Sequence, residues 1–346
     1  MKNKIKIFTN ALIILVVLGL VLFFALKDNY REIISLIKSI SIIWIVISML
    51  LLFLYRFLIG SSMYLLVRNG KEKISLLRTF QISFIILFFH GVTPFSTGGQ
   101  PMEVYYLHNE KVPIEKATNI VLQNFMLYQT ALILVGIFTI GYNYMFNIFP
   151  FNNFMRNLVM LGFFINFAVW LFTFIVAFGK KSGVKLINIC TNIIYKLKII
   201  KDKEKWLNRV MDYANKFYDS AISLKNNKKV IFKALLINVL ALLVLYSIPF
   251  VLIYGFKGID LGLFDVIVAT SYVMIIGSFV PIPGGTGGIE YSFVYFFGYL
   301  LSGSVVPALM LIWRFITYYM GMIIGAIFLV FYRKKSGYVE EEKANS

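Results

Sequence analysis

The sequence predicts an all-α integral membrane protein with about six transmembrane helices, two inverted re-entrant helical hairpins and an amphipathic cytoplasmic helical segment. Three observations carry this prediction. Of 346 residues, 59% are hydrophobic and only 14% charged, where soluble globular chains average roughly 25% charged. Apolar runs near the ~20 residues that cross a bilayer recur along the chain. Two further apolar runs are cut by proline and glycine: PFSTGGQPME at 94–103 and PIPGGTGGIE at 281–290.

Taken in order, Ile7–Leu26 is the first span. It follows MKNKIKIF and offers no small-x-small cleavage site, so it reads as an uncleaved helix rather than a signal peptide. Ile40–Val67 is the second span and contains a single charge, Arg56. The stretch Thr79–Met102 carries no Asp, Glu, Lys or Arg, but its apolar part, Ile82–Val92, is too short to cross. It predicts a helix that enters the membrane, breaks and returns.

Ala117–Tyr142 and Asn157–Phe178 are clean spans. Residues 180–229 differ, with 13 Lys/Arg against 4 Asp/Glu. There Trp206, Val210, Tyr213, Phe217, Ala221 and Leu224 recur at helical spacing. Two readings stay open: an amphipathic helix on the membrane surface, or a cytosolic helical hairpin packed on itself. Ala234–Tyr254 spans next, with a kink expected at Pro249. Val266–Ile289 is uncharged and contains the second interruption, and Val305–Tyr332 is the last span. Residues 1–333 form one polytopic domain in this reading, with 334–346 a disordered cytoplasmic tail.

Charge parity supports the count. With both termini inside, six spans and two re-entrant hairpins place RNGKEK, the 180–229 block and the final RKK on the cytoplasmic side, as the positive-inside rule requires. Eight full spans would put RNGKEKISLLR and EKVPIEK on opposite sides. The expected location is the cell membrane.

Composition also excludes function classes. The single cysteine, Cys190, forbids an internal disulfide and multi-cysteine metal sites. His90 and His108 stand in no metal-ligand spacing, and a hydrogen-bonded structural role is expected for each. No cofactor is expected, and no G-x-x-x-x-G-K-[ST] phosphate loop is present. The net charge of +18 follows loop positions, so anionic phospholipids rather than nucleic acid are the expected partners.

Written without a gap, the two interruptions share a leading proline (Pro94, Pro281), a glycine at the fifth place (Gly98, Gly285) and a closing glutamate (Glu103, Glu290). Entering from opposite faces, they form the pattern of an inverted repeat of broken helices. Proline removes a backbone donor, and glycine permits turns closed to other residues. The freed backbone groups of Pro94, Gly98, Gly99, Pro281, Pro283, Gly284, Gly285, Gly287 and Gly288 must then line a protein-enclosed or watered cavity. Each charge at a helix centre costs roughly 2.5–3.5 kcal/mol on insertion scales. Arg56, Glu103, Glu290 and Arg314 are therefore expected to converge as two acid–base pairs. Tyr318 and Tyr319 could add hydroxyls, with ordinary packing the competing role.

TPFSTGGQPMEVYYL, VPIPGGTGGIEYSFVYFFGYL and RFITYYMGMIIGAI together resemble the membrane, or flippase-like, domain of lysylphosphatidylglycerol synthases. The resemblance runs to about Phe331. It implies functional weight on Gly98, Gly99, Glu103, Gly287, Gly288, Glu290 and Arg314, and movement of aminoacylated phosphatidylglycerol between leaflets. Gly321 stands where the family often has proline, which puts the kink expected there in doubt. The chain stops at Ser346, so the soluble transferase domain of the full-length synthases is expected to be absent.

Three functions compete. The first is a phospholipid translocase in which Arg314 and Arg56 hold the phosphate, and Glu103 and Glu290 balance them or meet a cationic headgroup. The second is a membrane-bound phosphatidylglycerol lysyltransferase or its membrane subunit. The third is a secondary transporter of ions or small solutes. A separate soluble lipid synthase and a second copy of the chain are the candidate protein partners.

Overall fold

The computed structural model describes residues 30–149, 153–196, 200, 202–225, 227–256 and 259–332. The expected first span, Ile7–Leu26, and the tail at 334–346 lie outside the described residues.

Helix α1 (Tyr30–Ser39) is short and leads directly into α2 (Ile42–Asn69). α2 is apolar apart from Arg56 and long enough to cross. Helix α3 (Leu76–Val92) starts where the Ser75 hydroxyl accepts the Arg78 N–H at 3.3 Å. At 1.5 Å per residue it is about 26 Å long, short of the ~30 Å apolar core. It stops at Thr93 because the residue before a proline is pushed out of the helical region. The chain turns and comes back beside α3 as α4 (Gly99–Asn109).

Two spans follow, α5 (Ile114–Phe146), ended by Asn147 at φ 47°, and α6 (Asn153–Phe178). Phe164, Phe172 and Phe174 of α6 point outward, as lipid-facing side chains do. Then come α7 (Lys180–Lys196) and α8 (Lys203–Lys225). They pack on each other and on α6, so the basic block is a helical hairpin. Its apolar seam keeps Val210 of the expected stripe and departs from it at Trp206 and Tyr213; the side chains of Phe217, Ala221 and Leu224 lie outside the described ones. Leu207, Val210, Met211 and Ala214 of α8 pack toward Met126 of α5 and Val176 and Ala177 of α6, while Trp206 and Tyr213 are exposed.

Span α9 (Lys228–Ile253) runs through Pro249 without ending there. α10 (Leu263–Gly277) and α11 (Gly288–Leu300) make the second hairpin. The last span comprises α12 (Val305–Arg314), a π-helical turn at Phe315–Met320, and α13 (Gly321–Phe331). Where a proline kink was in doubt, the helix instead widens by a π-turn, a feature frequent at functional sites. At the α13–α3 crossing, a Cβ on Gly325 would collide with the Phe84 carbonyl, so the two backbones nearly touch.

Five of the described helices are long and apolar enough to cross a membrane. They correspond to the second to sixth expected spans. The two ends of the bundle are chemically distinct. At one, Asn227 donates to Asn69 at 2.8 Å, Lys116 pairs with Glu72, and Glu110 takes both Arg78 and the Tyr332 hydroxyl. At the other, Trp44 stacks on Tyr254, and Leu36, Phe256, Leu301 and Val305 line one cavity. The first hairpin has its base at the basic end and the second at the opposite end. They enter from facing sides, as the charge parity requires.

Candidate functional site

The hairpin tips are built alike. Pro94–Ser96 and Pro283–Gly285 each form a single 3₁₀ turn. Phe95 and Ser96 have φ of 53° and 54°, and Gly284 and Gly285 have 67° and 63°. The Ser96 N–H donates to the Thr93 carbonyl at 3.1 Å, and the Gly285 N–H to the Ile282 carbonyl at 2.9 Å. The Thr97 and Thr286 hydroxyls donate to the Pro94 and Pro283 carbonyls at 3.0 and 2.8 Å. The helices after the breaks begin at Gly99 and Gly288.

These pairings correct the expected register. The repeat is Pro-x-x-Thr-Gly-Gly, matching Pro94 with Pro283, and Glu103 is not the counterpart of Glu290. PFSTGG against PGGTGG has four identities in six, a signal present in the sequence that a register starting at Pro281 does not reveal. The likeness ends beyond the turn, where Gly98 has φ −75° and Gly287 has φ 90°.

Arg314 lies at the end of α12, ten residues into the last span, and is buried. Its Nε donates to Glu290 Oε1 at 2.7 Å, and its Nη2 reaches the Gly284 carbonyl at 3.1 Å and Thr286 Oγ1 at 3.5 Å. Glu290 Oε2 in turn accepts the Gly287 N–H at 2.6 Å. Arg314 thus clamps the second hairpin's turn, whose carbonyl and leading amide would otherwise be unpaired at membrane depth.

Tyr318 sits one turn further along. The Arg314 guanidinium lies over its ring, 4.5 Å from the centroid. Its hydroxyl donates to the Gly91 carbonyl at 2.8 Å, at the end of α3. A Cβ on Gly284 would strike that ring. Of the two roles open for Tyr318 in the sequence, a polar one is realised: it joins the tips of both hairpins.

Arg56 and Glu103, also buried, do not form the second expected pair. Arg56 Nη2 donates to the Ser83 carbonyl, its Nε makes no hydrogen bond among the described residues, and the Ser83 hydroxyl donates back to the Arg56 carbonyl at 2.9 Å. Glu103 Oε1 accepts Asn124 Nδ2 at 3.2 Å. The two side chains interact electrostatically without bonding distance. From Asn124 a chain of polar groups continues: its Oδ1 accepts the Ser62 hydroxyl at 3.0 Å, and Ser62 Oγ accepts Asn238 Nδ2 at 2.9 Å. Isolated Asn and Ser in apolar runs could have flagged this chain, since polar groups in spans are buried against partners.

The glycines serve close approach. Gly98 donates its N–H to Thr93 Oγ1 at 2.9 Å, and a Cβ on Gly99 would collide with the His90 ring. Gly288 packs under Val280, Pro283 is buried and Pro281 exposed. His90 Nδ1 bonds the Ser96 carbonyl and His108 Nδ1 the Val112 carbonyl, so each histidine braces a turn.

Residues 10–325 match the family described as the lysylphosphatidylglycerol synthase TM region. The chain belongs to this family. It is also 25% identical over 318 residues to a UPF0104 membrane protein of Archaeoglobus fulgidus, covering 89% of this chain and 92% of that one. The family region takes in both hairpins, the Arg314–Glu290 clamp and the Glu103–Asn124–Ser62–Asn238 chain. As a member of this family with five described crossing helices, the chain is a membrane protein.

Proposed function

We propose that this protein moves phospholipid between the leaflets of the cell membrane through a crevice at the hairpin tips. One observation carries the reading. The first hairpin's turn, Pro94–Thr97, is exposed, with Phe95 at 58%. It nevertheless lies within the depth of the last span, since adjacent Gly91 is bonded to Tyr318. Irregular backbone at that depth is tolerated only where it is buried in protein or lines water. An exposed turn there therefore marks a wet crevice.

A headgroup would travel in this crevice while its acyl chains stay in the lipid. Arg56, whose buried Nε makes no hydrogen bond among the described residues, is the phosphate-binding group. Arg314 is already committed to Glu290 and Gly284 and holds the crevice wall. Phosphatidylglycerol, whose single negative charge suits Arg56, is the first lipid to test, with the lysyl derivative in the family's description as the comparison; a separate soluble lipid synthase or a second copy of the chain would be the protein's partner. The basic end, with Arg68, Lys71, Lys73, Arg78, Lys111 and Lys116, faces the cytoplasm in this account.

The test is reconstitution into vesicles containing fluorescent phosphatidylglycerol, with an impermeant quencher added outside. Loss of the protected inner-leaflet signal is expected. A signal identical to that of protein-free vesicles would contradict the reading.

A further inference from the structure

We infer that Glu103 is a proton-binding site that couples lipid movement to a proton gradient, the proton and the anionic lipid travelling in the same direction. This rests on the translocase reading and adds its energy source.

Glu103 lies on α4 of the first hairpin and is buried. Its partner is a neutral amide, Asn124, and no cation stands within ion-pair distance among the described residues. The hydrogen bonds leading to it are directional: Asn238 donates to Ser62, Ser62 to Asn124, and Asn124 to Glu103 Oε1. They cross α9, α2, α5 and α4 in turn. Oε1 can keep the Asn124 N–H in either protonation state. Oε2 makes no hydrogen bond among the described residues, so it is the oxygen that carries the proton.

Of the charged and titratable groups on elements packed against α4, α3 carries Arg78 and His90, and α5 carries Glu115, Lys116, Tyr128, Tyr142 and Tyr144; Arg56 of α2, with Tyr55 and Tyr128 beside it, and Tyr332 after α13 complete the surroundings. Arg78 and Tyr332 are bonded to Glu110 at the basic end, and His90 to the Ser96 carbonyl. Arg56 is the one whose charge bears on Glu103.

That arrangement supplies the coupling. While Glu103 is ionised, its charge offsets Arg56, and an entering phosphate meets a site already balanced. A proton on Oε2 leaves the Arg56 charge uncompensated in a poorly solvated setting, which favours an anion beside it. Proton and phosphate therefore bind best together and leave together. One proton with one singly charged lipid is electroneutral, so a pH difference alone drives it. A difference of about one unit supports up to about a tenfold ratio between leaflets.

The experiment uses full-length protein in vesicles with fluorescent phosphatidylglycerol and an imposed pH gradient. With the interior alkaline, the probe should accumulate in the inner leaflet, and reversing the gradient should reverse it. Glu103→Gln should abolish the asymmetry. Equal leaflets in wild type despite rapid probe movement would overturn the proton site and leave the translocase reading standing. No probe movement at all would overturn both. Infrared difference spectra between acid and alkaline buffer provide a check that does not need transport. A carboxylic-acid band present in wild type and lost in folded Glu103→Gln or shifted in Glu103→Asp is expected; its persistence unchanged in Glu103→Gln would overturn the assignment.

Discussion

The Tyr318 hydroxyl donates to the Gly91 carbonyl at 2.8 Å across an interval of 227 residues. It ties the hairpin that enters from the basic end to the span that clamps the hairpin entering from the other. α3 ends with open carbonyls at Gly91, and the π-turn at Phe315–Met320 presents the phenol that closes one of them. Tyr318→Phe should remove this bond while keeping the ring under Arg314. A loss of about 0.5–1.5 kcal/mol is expected, read as a lower unfolding temperature in detergent. An unchanged temperature would show that water replaces the bond.

Arg314 and Glu290 should behave as a buried pair. Arg314→Ala leaves Glu290 with only the Gly287 N–H, and removing one partner of such a pair costs about 3–5 kcal/mol. Arg314→Lys should recover little, because one ammonium cannot serve Glu290 and Gly284 in the guanidinium's geometry. Replacing both residues with methionine should be milder than Arg314→Ala alone, since no orphan charge remains. Thermal unfolding of the three variants checks the order. Loss of lipid movement in Arg314→Ala then reads as loss of the crevice wall rather than of a phosphate ligand.

Two glycines of one motif should differ. Gly284 combines φ 67° with a ring where its Cβ would go, whereas Gly287 at φ 90° faces open space. Gly284→Ala should therefore be far worse than Gly287→Ala, whose cost is mainly backbone strain. Yield of monodisperse protein and unfolding temperature measure both. Equal effects would mean that Tyr318 moves aside freely.

Much of this fold was legible because membrane burial constrains sequence strongly. Five spans, both hairpins and their opposed entry follow from run length, Pro/Gly interruptions and Lys/Arg position. The failures have physical causes. A second proline at Pro281 masks the Pro-x-x-Thr-Gly-Gly register, because the feature the two turns share is closure by a threonine hydroxyl, and the glutamates are not part of it. Arg56 and Glu103 do not pair as expected, because two opposite charges in apolar runs can be satisfied separately, here by Ser83 and Asn124. In α8 the expected stripe holds at Val210 and fails at Trp206 and Tyr213, which are exposed, while Leu207, Met211 and Ala214 complete the contact.

Opposed entry of the hairpins has its own check. In a Cys190→Ser background, single cysteines at Lys111 and Ser302 lie at the two ends of the bundle and are exposed. A membrane-impermeant maleimide should label Ser302→Cys in intact cells and Lys111→Cys only after lysis. Labelling of both from the same side would invert one hairpin and remove the shared crevice.

The central claim is that the turn at Pro94–Thr97 lines a wet path for headgroups. Thr97→Cys in the Cys190→Ser background tests it most directly, with a charged thiol reagent applied to reconstituted vesicles while lipid movement is recorded. We expect the cysteine to react and lipid movement to stop, with phosphatidylglycerol slowing the reaction. A cysteine that reacts without slowing lipid movement, or one that the charged reagent never reaches, would contradict the account.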